Sequence, residues 1–198
     1  MTRLLIALLR ERHPDLAAHS VQVGRLSVAV GEQLGLAGAE LTRLRHAAEL
    51  HDIGKLAIPD VILAKPGPLS DGEWAVIRRH TLIGERILAG SPTYAGVGAI
   101  IRASHERFDG HGYPDRLVGI DIPLAARIIA VCDAYDAMTA PRAYRAYRDR
   151  LDAQAAIAEL RRRAGAQFDP AVVEAFATVL DRRTAAPNVD LRPAPAVA

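Results

Sequence analysis

Residues 39–55, AELTRLRHAAELHDIGK, decide how this chain is read. Leu41, Leu44, Ala47, Ala48 and His51 recur at steps of three and four, the spacing that places side chains on one face of an α-helix. The stretch predicts a helix over residues 39–52 ending in an adjacent histidine and aspartate, with Gly54 expected as its left-handed cap. A helix C-terminus carries roughly half a negative charge on its unpaired carbonyls, so His51 and Asp52 sit where a cation is favoured. The two residues differ by about 100° around the axis. Two neighbouring ions satisfy that geometry, with Asp52 bridging them through its two oxygens and His51 binding one on its own flank.

Working outward, the same period runs through Leu16, Val23, Leu26, Val30 and Leu34, predicting a helix over residues 14–34 closed by Gly35. Ser70 and Glu73 have the S-x-x-E form of a capping box and open a helix containing Trp74, Ile77, His80 and Ile87. Further helices are expected over residues 97–106, from Pro123 through Asp133, Asp136 and Met138, over 152–164 closed by Gly165, and over 170–180 with Asp169 as N-cap. Pro and Gly punctuate residues 58–69, and the turn formers between Phe108 and Pro114 require a loop. No segment alternates as a strand does. The expected fold is all-α, one helical-bundle domain over residues 14–182, preceded by a helix or linker at 1–13 and followed by a disordered tail at 183–198.

With 198 residues, half of them hydrophobic, the chain can bury one sizeable core. The 25 basic and 23 acidic residues leave a formal charge of +2, a mixed surface that argues against a long nucleic acid but not against a small anionic ligand. Cys132 is the single cysteine, so no intrachain disulfide forms, and its apolar helix neighbours suggest a buried structural thiol. The apolar run from Leu4 to Leu9 stops at Arg10-Glu11-Arg12-His13 without a cleavage pattern, and no run reaches the roughly 20 apolar residues of a membrane span. A cytoplasmic protein without a membrane contact is expected.

The chemistry lies in a distributed set, His19, His51, Asp52, His80, His105 and Asp133, each on or beside a predicted helix. Mixed imidazole and carboxylate ligands suit iron, manganese or zinc better than magnesium. Two such ions about 3.5–4 Å apart can hold a hydroxide and polarise a phosphate oxygen, the arrangement for in-line phosphoester cleavage. Asp136, one turn beyond Asp133, faces the same cavity and is expected to orient the attacking hydroxide. His13, His46 and His111 are read as non-ligands. Gly110 and Gly112 allow unusual backbone angles, and Tyr113 beside them offers an aromatic face to a base or to a partner protein.

The residues together resemble the HD-GYP group of the HD metallophosphohydrolase superfamily. The matching segments are His51-Asp52-Ile53-Gly54-Lys55, Ile58-Pro59-Asp60, Lys65-Pro66-Gly67, His105 through Pro114, Ile122-Pro123-Leu124, Ala126-Arg127-Ile128, Asp133 through Thr139, and Gln167-Phe168-Asp169-Pro170, in the family's order. The resemblance implies an HD-type helical bundle with a dimetal site holding two divalent ions, iron or manganese, and hydrolysis of cyclic di-GMP to linear dinucleotide or GMP. It makes the six distributed residues metal ligands, sets Lys55 beside the substrate phosphate and bridging water, and gives Arg142 and Arg145 as a basic pair for phosphates or guanine edges. It also associates the GYP loop with protein contacts.

Three departures stand out. Ser104 precedes His105 where many members have a second histidine, Asp15 stands where a third-metal carboxylate lies in some members, and Ala143 replaces a proline in the basic turn. Ser104 keeps a second reading open, a catalytically weak or inactive cyclic-dinucleotide sensor or interaction module. A hydrolase for another nucleotide is a third. The N-terminal helix with Leu4, Leu5, Leu8 and Leu9 either completes the core or packs on a second copy as a homodimer.

Overall fold

The computed structural model describes residues 1–140 and 150–185. Ten α-helices are seen in these segments: α1 Thr2–Arg12, α2 Pro14–Gln33, α3 Gly38–Leu50, α4 Asp60–Leu63, α5 Asp71–Arg78, α6 His80–Ala89, α7 Ala95–Arg102, α8 Leu124–Thr139, α9 Ala153–Arg162 and α10 Pro170–Ala185. Among the described residues there is no strand, only isolated bridges between Asp109 and Val118 and between Ala164 and Phe168. No helix in them is long and apolar enough to cross a membrane.

Helix α2 is the spine. It packs against α3 and α8 and is also contacted by α1 and α10. Val23, Leu26 and Val30 of α2, Leu44 and Leu50 of α3, and Ile128 and Ile129 of α8 are fully or almost fully buried in one core. That core recurs at the predicted helical spacing, because burying one apolar face is what stabilises each amphipathic helix. Helix α1 adds Leu9, fully buried, and Ile6, so it completes the core, while Leu4 and Leu8 stay exposed. The caps follow the sequence: Gly35 and Gly165 take positive φ, Ser70 and Glu73 form a reciprocal capping box, and Asp169 accepts from the Ala171 N–H at 2.8 Å.

Four local expectations are corrected. Gly54 is not a left-handed cap: α3 ends at Leu50, and Gly54 lies in a 3₁₀ turn, Ile53–Ala57. Its lack of a side chain serves close approach instead, since a Cβ there would fall 2.0 Å from the His80 carbonyl oxygen. The helix opened by Ser70 breaks at Arg79 into α5 and α6. His80 Nδ1 donates back to the Ile77 carbonyl at 2.7 Å, a side-chain bond that competes with the helix ladder at that turn. Helix α7 ends at Arg102, so His105 stands on the loop after it rather than on the helix. At the other end, α10 extends past the expected 180 to Ala185. The remainder of the tail, 186–198, lies outside the described residues.

Candidate metal centre

The six proposed ligands arrive from five places in the chain and converge. His19 comes from α2, His51 and Asp52 from the end of α3, His80 from the start of α6, His105 from the loop after α7, and Asp133 from α8. They form two groups whose ligand atoms lie within 4.8 Å of one another: His19, His51 and Asp133, and Asp52, His80 and His105. Asp52 stands between the groups. Its Oδ2 is 3.5 Å from His51 Nε2 and its Oδ1 is 3.5 Å from His80 Nε2, so one oxygen faces each side, as a bridging carboxylate requires.

For His51 and His80, local backbone fixes which ring nitrogen is offered to the site. His51 Nδ1 donates to the Ala48 carbonyl at 2.8 Å, and His80 Nδ1 donates to Ile77 as noted. A carbonyl can only accept, so in the neutral rings the proton sits on Nδ1 and the Nε2 lone pair points into the site. Four buried atoms there, Nε2 of His51, His80 and His105 and Oδ1 of Asp52, lack any hydrogen-bond partner. Buried polar atoms are normally paired because leaving them unpaired costs desolvation without return. Converging orphan acceptors of this kind fit a pair of cations.

The electrostatics differ between the groups. Burial, and then the neighbouring His105, push His80 down to about 3, and burial above all brings His105 to about 4, so both are neutral ligands at ordinary pH. Burial also acts to lower His19. Its hydrogen bonds outweigh that: Nε2 to Asp133 at 2.9 Å and Nδ1 to Asp136 at 2.6 Å raise it to about 9. For Asp52, burial is the largest influence and opposes ionisation, but Lys55 and the surrounding histidines together hold the carboxyl well below the usual range. Asp133 is likewise depressed, against its burial, by His19 and the other histidines.

Other expected site residues fall into place unequally. Lys55 Nζ sits 2.7 Å from Asp52 Oδ2, part-buried at the edge of the second group. Asp136 is buried, and its carboxylate accepts from His19 Nδ1 at 2.6 Å, so it orients that candidate ligand. Asp15, the possible third-metal carboxylate, is exposed and is in neither ligand group. Ser104 is buried, with its hydroxyl donating to the Ile101 carbonyl at 2.8 Å. It is used by its own helix end and offers no ligand. Arg142, Ala143 and Arg145 lie outside the described residues. Of the histidines read as non-ligands, His46 stacks on Tyr94 and His111 is exposed.

The GYP loop is built onto the centre. Tyr113 N–H donates to the His105 carbonyl, and the Tyr113 ring stacks on the His105 ring at 5.3 Å and 15°. Gly112 permits this fold-back, because a Cβ there would lie 2.3 Å from the Arg107 nitrogen. Glu106, for which the sequence reading gave no role, is the second device. Buried, it accepts from the Asp115 and Arg116 N–H groups at 2.6 and 3.0 Å and so pins the far side of the loop. Its only signal was adjacency to His105. The late Gln167-Phe168-Asp169 segment supports the same loop: Phe108 N–H donates to the Gln167 carbonyl, Asp109 N–H to that of Ala166, and Asp169 pairs with Arg127 of α8. A cavity of about 80 Å³ beside His105 and Asp133, lined also by Arg107 and Gln167, has room for waters but not for a nucleotide.

With this geometry established, comparison with known proteins is informative. A family model described as HD domain matches residues 3–172. The chain is 48% identical over 149 residues to the cyclic di-GMP phosphodiesterase response regulator RpfG of Xanthomonas campestris, covering 74% of this chain and 39% of that protein. It is 39% identical to the 3′3′-cGAMP-specific phosphodiesterase 2 of Vibrio cholerae, covering 82% of this chain and 31% of that one. A crystal structure of a cyclic GMP-AMP specific phosphodiesterase of V. cholerae superposes with a TM-score of 0.65 at 20% identity over 84% of this chain and 44% of that chain. The chain thus spans less than half the length of the relatives it matches. The observed helical architecture, the two His/Asp groups and these matches agree: the chain belongs to the HD domain family, in its HD-GYP group.

Proposed function

We propose that the chain is a metal-dependent phosphodiesterase acting on a cyclic dinucleotide, cyclic di-GMP in the first instance, and releasing linear dinucleotide or GMP. The observation that carries this reading is the pair of ligand groups with Asp52 between them and their unpartnered acceptor atoms facing one another. Two divalent ions bound there, iron or manganese by ligand type, would supply a water of lowered pKa and a Lewis acid for a phosphate oxygen. The chain's own residues supply the rest. The Lys55 ammonium, beside Asp52 and still partly open, can meet a non-bridging phosphate oxygen as a point charge. Asp136 fixes the His19 ring. Tyr113, half-buried, walls the His105 side, and its partial burial together with the nearby Asp52 and Asp133 carboxylates pushes its hydroxyl up, so it stays a neutral phenol.

Ser104 favours the alternative, a weak or inactive sensor, because it removes one family ligand. Against this, each ligand group has three converging donors without it. The loop's placement of Tyr113 on a ligand histidine favours a substrate role over a protein contact, since the ring faces inward. The relatives named for cyclic di-GMP and for 3′3′-cGAMP define the substrates to compare. The test is to incubate iron- or manganese-loaded protein with each dinucleotide and separate the products chromatographically, alongside Asp52→Ala. Linear dinucleotide or GMP from the parent, and none from the variant, is expected. Binding without turnover overturns the proposal in favour of the sensor.

A further inference from the structure

Beyond the ligand groups, a ladder of stacked side chains leads from the centre to the surface. The Tyr113 ring, stacked on His105, also has the Arg78 guanidinium 5.4 Å from its centroid. That guanidinium also lies 6.0 Å from the Trp74 ring, one turn earlier on α5. Trp74 is 45% exposed although it is the chain's only tryptophan and belongs to the residue types that folding usually covers. Arg78 is exposed, its carbonyl accepts from the Thr81 hydroxyl at 3.3 Å, and among the described residues its guanidinium makes no ion pair or hydrogen bond. Every other part of the ladder has an evident structural use. Tyr113 covers a ligand, and α5 is held by its capping box and by the Lys65–Glu73 pair at 2.7 Å. Trp74 and Arg78 contribute an open aromatic face and a free guanidinium fork, two side chains outward from a metal ligand.

We infer that Trp74 and Arg78 form the base-recognition platform of the substrate site, taking one guanine of a cyclic dinucleotide; the inference rests on the proposed function for its ligand class. A nucleobase stacks on an exposed indole whatever its sequence context. Guanine presents O6 and N7 side by side as acceptors, the pattern that a bidentate arginine matches and an adenine edge does not. Tyr113 and Trp74 restrain the Arg78 stem by cation–π contact, so less rotamer freedom is lost on binding. Because α6 and its ligand His80 begin two residues after Arg78, the platform and the metal centre are held by the same turn.

Equilibrium dialysis of labelled cyclic di-GMP against the manganese-loaded full chain tests this without requiring turnover, since an opened product keeps its bases. Inorganic phosphate, which carries no base, is dialysed in parallel. Trp74→Ala and Arg78→Ala are each expected to raise the Kd for cyclic di-GMP at least about tenfold more than the Kd for phosphate, with Arg78→Lys falling between parent and alanine. Equal shifts for both ligands would indicate a merely structural role and overturn the platform, as would no shift for the nucleotide. Tight, base-dependent binding without cleavage defeats the proposed function and leaves the platform standing. Cleavage with unaltered Kd values in the variants defeats the platform alone, and no binding by the parent chain defeats both.

Discussion

At the scale of single residues, the site depends on groups that hold the ligands as much as on the ligands themselves. Asp136 takes the second nitrogen of His19, and such partners orient the ring and raise its basicity. Asp136→Asn keeps the shape but removes the charge, and metal titration is expected to show affinity lost by about 10–100-fold at the group containing His19. The two groups should also differ in pH response. His19 sits at about 9 without metal, so an ion must displace its proton, and affinity there should rise about tenfold per pH unit from about pH 6.5 toward 9. His80 and His105, at about 3 and 4, are already neutral, and their group should show no such slope. Calorimetry in buffers of different ionisation enthalpy counts the released protons. The six candidate ligands were legible as a set because they are rare, chemically matched and motif-linked, and the structure brings them together in two groups. The roles of Asp136 and Glu106 were not, because a helical spacing shows which face a side chain occupies but not which atom it meets.

Elements matter through how closely they approach. The 3₁₀ turn after α3 lies against the first turn of α6, and Gly54 is what allows it: an added Cβ would meet the His80 carbonyl at 2.0 Å and the Gly84 nitrogen at 2.8 Å. These are backbone atoms on both sides, so no rotamer change relieves the clash. Gly54→Ala is expected to cost about 1–3 kcal/mol, which for a chain of this size lowers Tm by roughly 2–12 °C, and to weaken metal binding at Asp52, His80 and His105. Differential scanning calorimetry and metal titration of the same variant check both. The glycine was read correctly as necessary but for the wrong reason, since cap and close-approach glycines look alike in sequence. The break between α5 and α6 was hidden because the apolar period continues across it. The His80 side chain turned back on Ile77 and the Thr81 hydroxyl turned back on Arg78 mark the joint.

For the whole molecule, five chain segments surrender polar side chains to one interior point, and metal-free folding carries that burden. His80 and His105 have folded values below the ordinary 6.5. Their contribution is therefore fully present above about pH 6.5 and is lost as pH falls toward 4 and then 3, at up to about 1.4 kcal/mol per unit for each group. The depressed Asp52 and Asp133 act in the same direction at lower pH. Tm of chelator-treated protein should drop steeply below pH 6.5, and loading with metal at neutral pH should raise it by mass action. The all-α class and the single core were legible because periodicity reports burial directly, as Val23, Leu26, Val30 and Leu44 illustrate. That α1 and α10 both pack on α2 was not, because inter-helix packing depends on contacts between distant residues. The most direct test of the account is to titrate metal-free protein with manganese while following both bound metal and cleavage of cyclic di-GMP. Two equivalents should bind, with cleavage appearing mainly between the first and the second. Saturation at one equivalent, or two bound ions with no cleavage, would contradict the paired centre as a catalytic site.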